Sequence, residues 1–284
     1  MAKPTIANVA ELAGVSQATV SRALRGATNV TEETRIKVQR AADQLNFTLS
    51  KSASALASGK TMRVILLVSG KLNEWFNSGV LQGVYEELAP VGYDVTPAFI
   101  TDRSELDRFF SQLPKSRNAD AIIISSFQLM PAMRDQLQAI DLPTVGVNVP
   151  AESGYFDASI SIDNSSAMTM AVRLLRSLGH TNIAFCSDYI PADMVYNTSQ
   201  RTQAFADAAQ ANATDGITFS LLTADAHDAP LSKSDLASQL TAKLLSLPER
   251  PTAVCVETDQ VAIALVKELR KQQLNVPEDI SVLG

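Results

Sequence analysis

The sequence predicts an all-α helix-turn-helix head, residues 1–47, then a linker, residues 48–61, then an α/β body of two parallel-sheet lobes, residues 62–160 and 161–284. Three observations predict it. Apolar residues recur at helical spacing through the first 47 positions, with glycine at two breaks. Residues 48–61 then turn to Ser and Ala with few charges. From Arg63 onward, short all-apolar runs alternate with amphipathic stretches, and this alternation restarts after about residue 160.

In the head, Ile6, Val9, Ala10 and Ala13 lie at i, i+3, i+4 and i+7 and so share one helix face. Gly14 supplies a left-handed stop. Ser16 stands where a second helix needs a cap for its orphan N–H groups. In Gln17–Leu24, Val20, Ala23 and Leu24 form the inner face, and Gln17, Ala18, Ser21, Arg22 and Arg25 lie outside. Gly26 ends that helix. Val30 and Thr31 open a third, in which Glu32 and Glu33 suit the positive end of the dipole and Val38, Ala41, Ala42 and Leu45 form the buried stripe.

Two short helices joined by a tight glycine-containing turn, with a third behind them, make a helix-turn-helix. The outward face of the second helix carries the chemistry to read a DNA major groove. Arg22 can grip guanine with two hydrogen bonds, Gln17 can pair with adenine, and Ala18 can lie against a thymine methyl. Ser16, Thr19, Ser21 and Asn29 can donate to phosphates, which sets register rather than sequence. Charge agrees. Residues 1–60 hold 8 basic and 4 acidic side chains, a net of +4, while residues 61–284 hold 16 and 26, a net of −10. A basic head on an acidic body suits a chain whose head alone meets a polyanion.

The string Val9-Ala10-x-x-Ala13-Gly14-Val15-Ser16-x-x-Thr19-Val20-Ser21-Arg22-x-Leu24-x-Gly26, with Val30-Thr31-Glu32-Glu33-Thr34-Arg35 after it, closely resembles the headpiece of the lactose-repressor (LacI/GalR) family. The resemblance implies that Gln17, Ala18 and Arg22 occupy the base-reading positions. It also implies that residues 48–61 form a hinge helix on an operator, with Leu56 wedged into the minor groove. Nearby the chain departs from the family. It has Leu49-Ser50 where Pro-Asn is usual, and Ser54 where an Arg is common, which implies weaker phosphate contacts from the hinge. Gly59-Lys60-Thr61 looks like the end of a phosphate-binding loop but lacks the first glycine and the preceding strand.

In the body, apolar strands are predicted at Val64–Val68, Tyr93–Phe99, Ala121–Ser125, Thr144–Val147 and Ser159–Ile162, with helices at Asn77–Ala89, Ser104–Leu113 and Pro131–Ala139 between them. The second run has helices Ser165–Leu178, Ser199–Ala211, Ser234–Leu247 and Gln260–Gln272 alternating with strands Ile183–Cys186, Ile217–Leu222, Ala253–Val256 and Ile280–Leu283. Such βα repeats give parallel sheets with helices on both faces. Ligands bind such sheets at the carboxyl ends of the strands, so a cleft between the lobes is the expected site.

The body resembles the effector domain of the same family, which shares its fold with periplasmic sugar-binding proteins. The matching pieces include Asn73-x-Trp75-Phe76, Val147-Asn148, Asp163-Asn164, Leu178-Gly179-His180, Arg201-x-x-x-Phe205 and Val276-Pro277-Glu278-Asp279-Ile280. By this resemblance Trp75, Phe76, Asn148, Arg201 and Asp259 face a small effector, a sugar or similar metabolite. The aromatic pair would stack on it and the polar groups would bind its hydroxyls. Asn148 stands where the family often has Asp, and Thr258 where it often has Asn.

No pattern of catalytic acid, base or nucleophile appears, and no metal-ligand spacing or cofactor motif. His180 reads as a cap or packing residue, and His227 as a solvated residue of an Asp-rich loop. Cys186 and Cys255 sit in apolar strands and read as buried thiols. There is no apolar stretch long enough for a membrane span and no signal-peptide core at the N-terminus, so the cytoplasm is the expected location. The family continues for several elements beyond the point matching Ser281–Gly284, so the resemblance implies a first lobe completed by further chain. Together these readings predict a regulator, most simply a repressor. It would bind a near-palindromic double-stranded DNA operator as a homodimer and respond to a small effector, without a membrane, metal or cofactor.

Overall fold

The computed structural model describes residues 4–47, 60–116, 118–149, 156–190, 194–213, 216–226 and 231–284. Leu56 and the rest of the predicted hinge up to Gly59 lie outside the described residues, as does His227. The chain divides into two compact units, Met1–Arg63 with Asn118–Asp120, and Val64–Arg117 with Ala121–Gly284.

The first unit contains helices α1 (Ile6–Ala13), α2 (Gln17–Leu24) and α3 (Glu32–Gln44). Each begins at a hydroxyl. Thr5, Ser16 and Thr31 accept from the amides of Asn8, Thr19 and Thr34, which satisfies donors that the first turn leaves unpaired. Gly14, at φ 65°, ends α1 in the left-handed conformation and lets α2 start three residues later. The three helices close over Val9, Val20 and Val38, each fully buried, with Ala10, Ala23, Ala41 and Ala42 where the backbones approach. Burying one such valine is worth roughly 1.5–3 kcal/mol, so this small core depends on all three helices being present.

The second unit holds two sheets. In the first lobe, β1 (Arg63–Ser69), β2 (Asp94–Ile100), β3 (Ala121–Ser125), β4 (Thr144–Val147) and β5 (Ala158–Ile160) lie in the order β2-β1-β3-β4-β5. The β1–β3, β3–β4 and β4–β5 pairs are parallel. Helices α4 (Trp75–Leu88), α5 (Arg103–Ser116) and α6 (Pro131–Ala139) connect successive strands. Leu66, Leu67, Val68, Ile122 and Ile124 are fully buried, as a central parallel strand requires.

In the second lobe, β6 (Asn182–Ser187), β7 (Thr218–Thr223), β8 (Ala253–Val256) and β9 (Ser281–Leu283) are parallel in the order β7-β6-β8-β9. Helices α7 (Asn164–Ser177) and α8 (Ser199–Ala211) cover one face through Val172, Leu175 and Phe205. Helices α9 (Lys233–Leu245) and α10 (Asp259–Lys271) cover the other through Leu236, Leu240, Leu244, Leu265 and Leu269. Strand order reverses between β1 and β3 in one lobe and between β6 and β8 in the other. Those reversals leave crevices at the strands' carboxyl ends.

Most expected elements are present, with shifted ends. The largest shift that matters is at α4, which begins at Trp75 rather than Asn77. Trp75 and Phe76 are therefore in a helical first turn and not in a loop.

Candidate functional site

The carboxyl ends of β1, β3, β6 and β8 border a cavity of about 470 Å³ between the two lobes, within the range of small-molecule sites. A segment from each lobe pairs at its edge. Phe127 and Tyr196 form an antiparallel bridge. The Gln128 amide donates to the Val195 carbonyl at 2.8 Å, and the Asn197 amide to the Ser126 carbonyl at 2.9 Å.

All five residues expected to face a ligand line this cavity. Trp75 is 64% exposed, which for the chain's sole tryptophan is a large apolar face left open to solvent. Its ring meets that of Phe76 edge-on, with centroids 5.6 Å apart. Behind this pair, buried Asn77 donates from Nδ2 to the carbonyls of Ser69 (2.8 Å) and Lys71 (3.0 Å), which fixes the turn from β1 into α4.

Asn148 follows β4 at φ 53°. It is 8% exposed, and its Nδ2 donates to Ser126 Oγ at 3.4 Å. Ser126 itself follows β3 at φ 73°, a conformation that side chains rarely adopt. Ser126 and Asn148 thus both turn the chain through the left-handed region at neighbouring strand ends, where they line the cavity. The strand ends can close up because β4 carries Gly146, where a Cβ would stand 2.7 Å from Val149 Cγ2 and 2.8 Å from Phe156 Cδ2.

Asn148 also joins a ladder of amides across the lobes. Its Oδ1 accepts from Asn197 Nδ2. Asn197 Oδ1 accepts from Asn164 Nδ2 at 2.6 Å, and Asn164 Oδ1 accepts from Arg201 Nε at 3.1 Å. Arg201, in the first turn of α8, also donates from Nη1 to the Glu257 carbonyl. Its guanidinium is thus held against the protein on two sides. Asp259 is the first residue of α10 and is exposed to the cavity.

Sequence reasoning missed Glu257 and Asp188, which also line the cavity. Glu257 is 7% exposed. Burial pushes its carboxyl above the ordinary glutamate range, against hydrogen bonds from the Asp188 amide and the Thr198 side chain and the charge of Arg201. The Asp188 N–H to Glu257 Oε2 distance is 2.8 Å. Both acids directly follow strands β6 and β8, whose apolar runs Ile183–Cys186 and Ala253–Val256 flank the reversal of strand order, and that placement was a readable signal. Asn197 lies in an irregular stretch with no periodicity and carried no such signal.

Across the mouth of the cavity, Lys233 Nζ of one lobe stands 3.9 Å from Glu74 Oε1 of the other. Cys186 and Cys255 are buried and unbridged, and burial pushes both thiols up to about 12. His180 Nδ1 pairs with Thr252 Oγ1 at 2.9 Å, next to Gly179 at the end of α7. No cluster of His, Cys, Asp and Glu suited to a metal occurs among the described residues. None of the described helices is long and apolar enough to cross a membrane.

In the head, Gln17, Ala18 and Arg22 lie exposed on one side of α2, with Thr19 and Ser21 half-buried beside them and Asn29 exposed after it. Arg22 Nε rests on the Ala18 carbonyl at 3.3 Å. Ser16 Oγ already receives the Thr19 amide and pairs with Thr19 Oγ1 at 2.9 Å.

The family model for bacterial regulatory proteins of the lacI family matches residues 5–50, and one for a periplasmic binding protein-like domain matches residues 172–284. The HTH-type transcriptional repressor PurR of Vibrio cholerae serotype O1 (strain M66-2) is 30% identical over 283 residues, covering 99% of this chain and 80% of the relative. The chain belongs to the lacI family. This lacI-family regulator superposes on the lac repressor dimer bound to operator and the anti-inducer ONPF with a TM-score of 0.81 at 23% identity. That match covers 100% of this chain and 82% of the other, and it shows the shared fold. A LacI family regulator from Lactobacillus casei with bound glucose is 27% identical, with a TM-score of 0.63 over 78% of this chain and 80% of its own. The lacI-family chain is thus a DNA-binding transcriptional regulator with a helix-turn-helix head and a periplasmic-binding-protein-like body.

Proposed function

We propose that this protein is a cytoplasmic repressor that binds a near-palindromic operator as a homodimer and is controlled by a small effector, a sugar or a similar metabolite, in the cleft of its body. The observation that carries the reading is the exposed face of α2, where Gln17, Ala18 and Arg22 stand together on a capped and well-buried helix. These three read base edges. Ser16, Thr19, Ser21 and Asn29 contact phosphates and fix the register. Residues 1–47 act as head and 48–61 as hinge, with Leu56 as a minor-groove wedge. The lobes, 62–160 and 161–284, hold the effector between Trp75, Phe76, Asn148, Arg201 and Asp259.

Support for the effector comes from the cleft's chemistry. An open aromatic face beside fixed amide, guanidinium and carboxylate groups suits a ligand with apolar faces and a hydroxylated rim. The bound glucose of the Lactobacillus casei relative agrees with that class. The test is selection of bound sequences from a random duplex library at near-physiological salt. Enrichment of a two-fold symmetric site is expected, because a dimer mirrors its half-sites. Weak binding that is sequence-blind and strongly salt-dependent would overturn the reading.

A further inference from the structure

The point where the linker joins the body carries a clamp built on one side chain. Asp120 directly precedes β3 and is half-buried. Its Oδ1 accepts from the Thr61 amide at 2.7 Å and from Thr61 Oγ1 at 3.0 Å, and its Oδ2 accepts from the Met62 amide at 2.9 Å. Its own amide donates to the Arg63 carbonyl at 2.8 Å. The compact unit that holds the head also takes in Asn118–Asp120. Both oxygens of one carboxylate thus grip the last linker residue and the residue after it. Hydrogen bonds to a carboxylate are among the strong ones, and three of them fix direction as well as distance.

The clamp holds a bend. Met62 has φ 53°, in the left-handed region that residues other than glycine rarely adopt. Such a conformation persists only where its surroundings enforce it. Here the enforcing group is Asp120, which takes the Met62 amide just before β1 begins. The anchor is stiff. From Asp120 the chain enters β3, which pairs with β1 on one side and β4 on the other, and Ile122, Ile124 and Ser125 are fully buried.

A carboxylate clamp of the same kind stands at Asp157, the residue before β5. Its Oδ2 accepts from the Thr144 amide at 2.7 Å and from Thr144 Oγ1 at 2.9 Å. That clamp joins the start of β4 to the start of β5, both within the first lobe. The two aspartates share their chemistry and differ in what they hold.

We propose that Asp120 is a positioning residue for operator binding, which acts by fixing the backbone of Thr61 and Met62 where the hinge meets β1. The proposal rests on the chain reading an operator as a dimer. Specific binding asks both hinges of the dimer to take one arrangement, so a junction left loose must be ordered at that moment, at a cost in affinity. Sequence-blind phosphate contacts by the head make no such demand. Asp120 therefore favours operator over random DNA without touching either.

The test compares Asp120→Asn with Asp157→Asn in the full chain. Asparagine keeps the shape of the side chain but turns one acceptor oxygen into a donor. The probes are a duplex enriched by selection from the random library and a random duplex of equal length. Affinity for each is measured, with bending by gel-shift phasing, melting temperature, and dimer mass by sedimentation. Expected for Asp120→Asn is operator affinity roughly tenfold weaker with reduced bending, while random-duplex affinity stays within about twofold and dimer mass is unchanged. Asp157→Asn should lower the melting temperature comparably and leave the ratio of the two affinities as it was. Thr61→Val deletes one of the three bonds and no charge, and should show a smaller loss of the same kind even if Asp120→Asn fails to fold. Equal ratios in the two aspartate variants, equal loss on both duplexes, or loss that tracks dimer dissociation would overturn the proposal and leave the operator reading standing. Failure of the library to enrich any symmetric duplex would remove both.

Discussion

At the scale of single residues, the decisive contrast is between side chains spent on structure and side chains left free. Arg22 is exposed and, among the described residues, its Nε bonds the Ala18 carbonyl, so the outer nitrogens of its guanidinium fork face out toward a base. Arg22→Ala should cost about 1–3 kcal/mol of specific binding and relax preference at one base pair of each half-site. Equal loss on random DNA, measured by competition binding, would make Arg22 a phosphate contact. Glu257 gives a pH prediction. Its folded-state carboxyl holds the proton above the ordinary range, while an unfolded glutamate ionises near 4.3. As pH rises from there through the folded value, the unfolded state sheds a proton that the folded state keeps, so stability falls. Glu257→Gln removes that loss. Its melting temperature should match the native chain near pH 4 and exceed it at neutral pH. A melting curve unchanged or lower at neutral pH would show that the Asp188 and Thr198 contacts outweigh burial.

At the scale of elements, the short helices of the head rest on their caps and a core of small residues. Ser16→Ala removes the acceptor for the Thr19 amide and should cost about 1 kcal/mol of head stability. Because α2 is both a wall of the core and the reading surface, operator affinity should fall with it, more at higher temperature. In the first lobe the sensitive point is Gly146. A methyl there would overlap Val149 and Phe156, so Gly146→Ala should destabilise the body by about 1–3 kcal/mol, read by thermal or urea unfolding. The elements most legible in the sequence were those buried on both faces. The run of apolar residues in β1 and β3 leaves few alternatives. The ends of elements were less legible. The helix expected from Asn77 begins two residues earlier, at Trp75, where Asn77 ties the β1–α4 turn through the carbonyls of Ser69 and Lys71.

At the scale of the molecule, function depends on coupling. An effector that favours one lobe arrangement changes operator affinity by a coupling free energy of typically 1–3 kcal/mol, and operator must change effector affinity by the same factor. Titration in both directions checks this, and unequal factors would show that a third equilibrium, such as dimer formation, intervenes. The amide ladder through Asn148, Asn197 and Asn164 to Arg201 gives the lobes a shared hydrogen-bonded seam. Leu56→Ala should weaken operator binding and reduce bending in a gel-shift phasing assay. Unchanged bending would remove the wedge.

The sequence by itself determined the division into helical head and α/β body, the caps and stripes of the three head helices, and the outward set of Gln17, Ala18 and Arg22. These follow from local periodicity and from hydroxyl and glycine chemistry within a few residues, which the chain expresses before it folds. It also determined, through a resemblance spread over many positions, five residues that line one cavity. Only the tertiary structure decided how that cavity is charged. Whether Asp188 and Glu257 meet, whether Arg201 is free or held, and whether Lys233 finds Glu74 all depend on residues far apart in the chain being brought together by parallel strand order. Burial then changes what each acid does, because a carboxylate's cost depends on the water and partners around it.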